Sequence, residues 1–166
     1  MNNRSRIFAT AVAVWMFAIA TPLLADETLT YISPGVRFGY HFDEGPTLRF
    51  KISLGSFYAD SFFNITLGTN FPVGNRVKKP HEKYQFVELQ AGTFKNPLPL
   101  GLGGGVGIAF SQINEQPIIA PKISLFGGYL AFATMDMVFF KNNEIRDFGL
   151  EFVLPLPVGL KDNFLE

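Results

Sequence analysis

The chain has 166 residues, a length that favours one domain, and its 14 basic and 14 acidic residues give a formal net charge of zero. This balance gives no electrostatic case for nucleic-acid binding, which calls for a clustered basic surface. Cysteine is absent, which excludes disulfides, cysteine nucleophiles and thiolate metal sites. Only 17% of the residues are charged, against roughly 25% in an ordinary soluble domain, and phenylalanine occurs 19 times. The composition is therefore unusually apolar.

Residues 1–25 are expected to be a secretory signal peptide, which leaves residues 26–166 as a single domain. Two arginines precede the apolar stretch Ile7–Leu24, and Ala25 is a small residue suited to the position before a cleavage site. An uncleaved anchor is the alternative, because that stretch has 18 residues and about 20 are needed to span a bilayer. Pro22 and the acidic residues after Ala25 favour cleavage.

Beyond residue 25, apolar residues recur at every second position, which is the spacing of a strand with one apolar face. No long apolar period of 3.6 residues with capping residues is present, so helices are not expected to organise the fold. Eight such segments predict eight strands, and an even number places both chain ends on the same side of a barrel. The segments begin at or near Val36, Leu48, Phe63, Val87, Leu100, Ile119, Tyr129 and Phe148.

The predicted connections are short at one end of the strands and longer at the other, a pattern typical of outer-membrane β-barrels. Tight turns are predicted at Ala59-Asp60, Lys95–Pro97 and Gly127-Gly128. Longer polar loops are predicted at Pro72–Lys83, Ser111–Pro117 and Lys141–Glu144.

Alternation alone does not distinguish a membrane barrel from a soluble one. Three features favour a barrel that crosses a bilayer. The charge content is low, the apolar faces extend over roughly the ten-residue strand length that a tilted crossing needs, and aromatic residues lie near the strand ends. A soluble secreted or periplasmic β-barrel that binds an apolar ligand is the alternative. The aromatic residues expected to form two interfacial girdles are Phe42, Tyr58, Phe71, Tyr84, Phe94, Phe110, Tyr129 and Phe140.

On this pattern the chain resembles the small eight-stranded outer-membrane barrels of Gram-negative-type bacteria. The resemblance covers nearly all of Leu29–Leu160. It implies an all-β, antiparallel up-and-down transmembrane barrel in the outer membrane, in contact with outer-membrane lipid and inserted by the barrel-assembly machinery. Such barrels usually end on an aromatic residue that this machinery recognises. Here Pro155 and Pro157 interrupt the last strand, so either Phe164 or Phe152 is the expected signal.

In such a barrel the polar face of each strand points into the lumen, and the four positive and four negative charges on that face balance. Buried charges are tolerated when they are paired, and eight strands enclose a lumen just wide enough to be filled by side chains. We therefore expect a salt-bridged plug, with a narrow ion or small-solute path as the alternative. The eight residues are Arg37, Arg49, Lys51, Glu88, Lys122, Asp136, Asp147 and Glu151.

Four glycines alternate with apolar residues in the fifth segment, at Gly101, Gly103, Gly105 and Gly107. A phosphate-binding loop is not expected, because neither a helix nor a Lys-Ser/Thr pair follows them. Glycine instead leaves volume for another group to approach. The stripe is expected either to let rings such as Phe86 or Phe132 cross the lumen or to leave a cavity for an acyl chain.

Two further features bear on function. The loop Pro72–Lys83 carries four cations that would face the phosphates of lipopolysaccharide if it is extracellular, namely Arg76, Lys78, Lys79 and Lys83. His41 is the candidate general base of a lipid-modifying enzyme, with Asp136 or Glu88 as its partner. Outer-membrane lipid A deacylases have a similar architecture but carry a late His-x-Ser pair, which this chain lacks. The sequence therefore favours a structural or surface-interaction role without catalysis, cofactor or metal.

Overall fold

The computed structural model describes residues 29–42, 45–58, 60–73, 83–95, 100–113, 116–129, 131–140 and 143–158. The signal peptide predicted for residues 1–25 lies outside them. Among the described residues, no helix is long and apolar enough to span a membrane. The strands are β1 (Leu29–His41), β2 (Gly45–Tyr58), β3 (Ser61–Pro72), β4 (Tyr84–Lys95), β5 (Leu100–Ile113), β6 (Gln116–Gly128), β7 (Ala131–Phe140), β8 (Asn143–Val153) and the two-residue β9 (Leu156–Pro157).

The first eight strands form a closed antiparallel barrel. Each of them pairs with its neighbour in sequence, and β1 closes the ring by pairing with both β2 and β8. In this register Val36 lies opposite Phe50 on one side and Phe152 on the other. The all-β, eight-stranded up-and-down barrel predicted from the alternation is confirmed.

The last strand continues past its prolines in an unchanged register. Strand β9 pairs Leu156 with Ile32, and backbone hydrogen bonds from Leu154 to Pro34 and from Val158 to Thr30, 3.0 and 2.9 Å long, hold the segment on β1. Successive residues of an antiparallel strand turn their N–H groups to opposite sides. The backbone nitrogens of the two prolines therefore point towards β7, whose pairing with β8 extends only as far as Phe152. Their missing N–H groups consequently break no ladder hydrogen bond.

The two ends of the barrel carry different connections. We call one the turn end: it carries the connections 59–60, 96–99 and 129–130 together with the first and last described residues. The opposite loop end carries the connections 42–44, 73–83, 114–115 and 141–142. At the loop end, Gly45 has a φ of 99°, which glycine adopts without the steric cost of a Cβ.

The prediction of longer loops at one end is right only for 73–83. The ladder between β5 and β6 runs on until Ile113 faces Gln116, so most of the predicted loop Ser111–Pro117 is strand. Likewise Phe140 pairs with Asn143, and the turn predicted at Gly127-Gly128 lies two residues further on. The loops were predicted there because the residues are polar. Polar residues can still form strands, because the ladder hydrogen bonds satisfy the backbone whatever the polarity of the side chains.

The barrel is apolar outside and polar inside. Phe38, Leu102 and Val106 are 60–63% exposed on the outer face, whereas Arg37 and Lys122 are 1% exposed within. A water-soluble barrel requires the opposite arrangement, and lipid satisfies this one.

The predicted aromatic girdles are only partly present. Phe42, Tyr58 and Tyr129 are exposed near strand ends, but Tyr84 and Phe140 are buried inside the barrel. Phe94 also points inward and lines a cavity in the lumen. Each of these rings lies an even number of residues from an inward-facing residue of its own strand. Alternate side chains share a face of a strand, so the rings also point inward.

Candidate functional site

Six of the charged residues meet in the middle of the lumen and towards its loop end. Asp136 is their centre: its Oδ2 lies 2.9 Å from Arg37 Nη1 and 2.5 Å from Arg49 Nη1, and its Oδ1 lies 2.5 Å from Lys122 Nζ. All six side chains are at most 3% exposed. We call this set the lumen cluster, and its members are Arg37, Arg49, Glu88, Lys122, Asp136 and Asp147.

The lumen cluster contains three positive and three negative side chains, so its formal charges cancel. Lys122 Nζ lies 2.6 Å from Glu88 Oε2, and Arg37 Nη1 lies 3.0 Å from Asp147 Oδ2. Since paired charges in a barrel interior cost far less than single ones, this neutrality allows six charged groups to share one cross-section.

Neutral side chains complete the cluster. Thr47 donates a hydrogen bond of 3.0 Å to Asp147, and Arg49 donates one of 2.9 Å to the Tyr84 hydroxyl. Two cations lie over the Phe86 ring, with Arg49 Cζ 5.1 Å and Lys122 Nζ 4.7 Å from its centroid. Cation–π attraction therefore adds to the ion pairs. Sequence reasoning missed Tyr84 as a lumen residue, although it shares the parity of Phe86 and Glu88 on β4.

Lys51 and Glu151 form a separate ion pair nearer the turn end. The Lys51 ammonium contacts the Glu151 carboxylate, and the two side chains are 6% and 8% exposed. The structure thus places all eight predicted charged residues inside the barrel, six in the lumen cluster and two in this pair.

An apolar layer lies between the lumen cluster and the loop end. Val138, Phe140 and Ile145 pack there with Tyr84 and Phe86, together with two fully buried alanines. These side chains leave little open space above the charges.

His41 lies in the same part of the lumen and is 3% exposed. It borders a void of about 10 Å³ together with Thr47, Asn70 and Ile145. A void of this size holds about one water molecule. On the exposed rim, Arg146 donates hydrogen bonds of 3.0 and 3.1 Å to Glu144.

The glycine stripe faces the lumen, and each member makes room for a neighbour. A Cβ on Gly101 would lie 2.7 Å from the Phe94 ring, and one on Gly103 would lie 2.5 Å from the Phe126 ring. At Gly105 and Gly107 the nearest groups belong to Glu88 and to the Val87 carbonyl. Phe132 packs near Gly101, whereas Phe86 packs against Gly68 on another strand.

The turn-end half of the lumen is hollow. It holds a cavity of about 260 Å³, which we call the turn-end cavity. Its deep side carries the Lys51–Glu151 pair with Ser53, Asn64 and Gln90. Aromatic rings form the outer walls, namely Tyr31, Phe57, Phe62, Phe94, Phe126, Tyr129 and Phe132.

The predicted lipid-phosphate loop is described only at its last residue. Lys83 is exposed, and its Nζ lies 5.2 Å from the centroid of the Phe71 ring; Arg76, Lys78 and Lys79 lie outside the described residues. Of the two candidate assembly signals, Phe152 is 49% exposed on the outer face and Phe164 lies outside the described residues. Among the described residues, no group of three or more His, Cys, Asp or Glu side chains could hold a metal ion.

No family model and no curated protein matches the chain. Neisserial surface protein A has a similar crystal structure, with a TM-score of 0.51 at 13% identity over 79% of this chain and 97% of that one. The fold is that of the small outer-membrane barrels. The N-terminal barrel domain of Pseudomonas aeruginosa OprF also matches, with a TM-score of 0.47 at 16% identity over 77% of this chain and 100% of that one. A de novo designed transmembrane β-barrel matches with a TM-score of 0.44 at 13% identity over 75% and 95%.

Proposed function

We propose that the protein is a non-conducting outer-membrane barrel of a Gram-negative-type bacterium, with a structural or surface-interaction role and no catalysis. The observation that carries the proposal is the lumen cluster. Asp136 contacts Arg37, Arg49 and Lys122, which belong to β1, β2 and β6, so the ion pairs cross the lumen rather than following one wall. An ion that entered would have to break contacts between desolvated charges, which is costly.

The distribution of polarity supports a membrane location over a soluble barrel. The outer face is rich in exposed Phe, Leu, Ile and Val, and the interior holds the charges. In water, that outer face would be far larger than the apolar patches that monomeric soluble proteins expose. A soluble barrel with an apolar interior fits this arrangement poorly.

The surroundings of His41 support the absence of lipid-modifying activity. An acyl substrate needs a cleft beside the general base, and the void beside His41 is about 10 Å³. We expect the variant His41→Ala to leave the lipid A species of cells that express it unchanged from those of wild-type cells. A lipid A species that depends on His41 would instead favour the enzyme.

The proposed orientation has the turn end in the periplasm, because short turns are periplasmic in barrels of this type. The long connection 73–83, with its four cations, would then face the lipopolysaccharide phosphates. Outer-membrane lipid and, during insertion, the barrel-assembly machinery are the partners we propose.

Two measurements test the proposal. Fractionation with a gel of boiled and unboiled samples should place the protein in the outer membrane and show the mobility shift of a closed barrel; recovery in the soluble periplasm would contradict the location. In planar lipid bilayers, the purified barrel should give no stable current steps, alongside a general porin that gives large ones. Reproducible steps that scale with protein concentration would contradict the sealed lumen.

A further inference from the structure

We propose that the turn-end cavity binds a small, neutral aromatic molecule that carries one hydrogen-bonding group. This site is separate from the lumen cluster and goes beyond the structural role proposed above. Three properties of the cavity carry the inference: its volume, its aromatic walls and its polar deep side.

The volume sets the size of the ligand. An apolar cavity of about 150 Å³ in a protein interior accommodates benzene. The turn-end cavity, at about 260 Å³, therefore has room for a fused pair of aromatic rings. A ligand with one intact phospholipid tail would have to leave much of its chain outside.

The walls form a continuous collar of rings that contact one another. The centroids of Phe57 and Phe94 are 5.7 Å apart, those of Phe94 and Phe62 are 5.3 Å apart, and those of Phe62 and Phe126 are 5.9 Å apart. Phe126 continues the collar to Phe132 at 6.1 Å. Aromatic rings pair favourably in offset or edge-to-face arrangements at such distances, so the collar favours a flat aromatic guest over a flexible alkyl chain.

The collar is preformed, because glycines on the strands leave the space that its rings occupy. Gly92 and Gly103 leave the volume that the rings of Phe62 and Phe126 occupy, since a Cβ at either position would lie 2.5 Å from a ring atom. A cavity whose walls are held in place before binding loses little conformational entropy when a ligand enters.

The deep side of the cavity determines the polarity of the ligand. Gln90 Oε1 accepts a hydrogen bond of 3.2 Å from Thr66, which is also 2.8 Å from the Ser53 hydroxyl. The only ion pair among the described lining residues joins Lys51 to Glu151 and is already neutral. A charged ligand would leave one buried charge uncompensated, whereas a neutral hydroxyl can join the hydrogen-bonded groups.

Equilibrium dialysis with naphthol tests the proposal on the mature barrel in phosphatidylcholine nanodiscs, with uptake by empty nanodiscs subtracted. We expect a saturable component of one naphthol per barrel. The variant Val153→Phe, which narrows the cavity, should weaken this component roughly tenfold or more. Leu150→Phe makes a comparable change on the lipid-facing side of the same strand and should leave binding unchanged.

The outcomes separate the possible occupants. Uptake that matches empty nanodiscs would overturn the proposal, as would saturable uptake that Val153→Phe leaves unaltered in a barrel that still shows its mobility shift. Decanol that binds as tightly as naphthol would overturn the aromatic class and assign an alkyl chain. If the anion naphthoate binds as tightly as naphthol, the requirement for a neutral ligand is overturned. If Val153→Phe does not fold, Phe132→Ala takes its place: it removes one ring of the collar, so naphthol binding should weaken, and unaltered binding by a barrel that keeps its mobility shift would overturn the proposal.

Discussion

The two halves of the lumen are enclosed by the same eight strands but are filled in opposite ways. Towards the loop end, charged side chains from six strands meet at hydrogen-bonding distance and an apolar layer covers them. Towards the turn end, aromatic rings line the wall and leave about 260 Å³ open. The backbone of an eight-stranded barrel therefore permits a plug but does not require one. The inward side chains decide whether the lumen is filled.

Long flexible cations account for the filled half. Arg37, Arg49 and Lys122 reach across the lumen to Asp136, whereas phenylalanine rings at the turn end pack against the walls and over glycines. Each cation also needs a partner on another strand once it is buried. The loop-end half is consequently expected to tolerate substitution less well than the turn-end half.

The substitution Asp136→Ala should break this comparison most severely. It leaves three buried cations with fewer anions than they need, and removal of one partner from a buried pair costs about 3–5 kcal/mol. The free energy of unfolding, measured by urea titration in lipid vesicles, should fall by about that amount. Glu144→Gln at the exposed rim should produce no measurable change. Equal effects from the two variants would contradict the central role of Asp136.

The substitution Glu151→Gln tests the ion pair at the border between the halves. Lys51 loses its charged partner, but the cavity beside it admits water that can solvate the ammonium. We therefore expect a loss of about 1.5–3 kcal/mol, as for a hydrogen bond to a charged group, and smaller than that of Asp136→Ala in the same titration. A loss that exceeds the Asp136→Ala value would show that the turn-end pair, rather than the cluster, dominates.

The substitution Gly103→Ala tests whether the collar is rigid. Its Cβ would lie 2.5 Å from the Phe126 ring and 2.6 Å from the Ala91 carbonyl, and such overpacking costs about 1–3 kcal/mol. Gly104→Ala points outward, where the nearest atom would be 3.1 Å away, and is the matched control. If both variants unfold at the same urea concentration, the collar yields to the new methyl group and is not preformed.

The double variant Lys78→Glu, Lys79→Glu should affect neither half of the lumen. Each reversed charge near an anionic surface costs about 1 kcal/mol, so binding of lipopolysaccharide to the barrel in phosphatidylcholine nanodiscs should weaken by about tenfold or more at low salt. High salt should abolish the difference. Lys95→Glu at the turn end is the control, and a comparable loss there would argue against a specific role for the loop.

The sequence predicted the strands, their parity and the inward set of charges because these depend on local backbone geometry. Alternate side chains point to opposite faces of any strand, so Arg37 and Glu88 face the lumen because the apolar residues next to them face the lipid. The same rule, applied consistently to β4, would have turned Tyr84 and Phe94 inward; proximity to strand ends assigned them to girdles instead.

Depth in the lumen and partnership across it were decided by the tertiary structure alone. The sequence does not specify that Asp136 meets Arg49, or that Lys51 pairs with Glu151 outside the cluster, because both depend on the stagger and tilt of strands far apart in the chain. The same holds for the turn-end cavity. It exists because aromatic rings from six strands, together with Tyr129 from the connection after β6, arrive at one level of the barrel. Alternation fixes the face of a strand to which a side chain points, but not the level at which that side chain meets its neighbours.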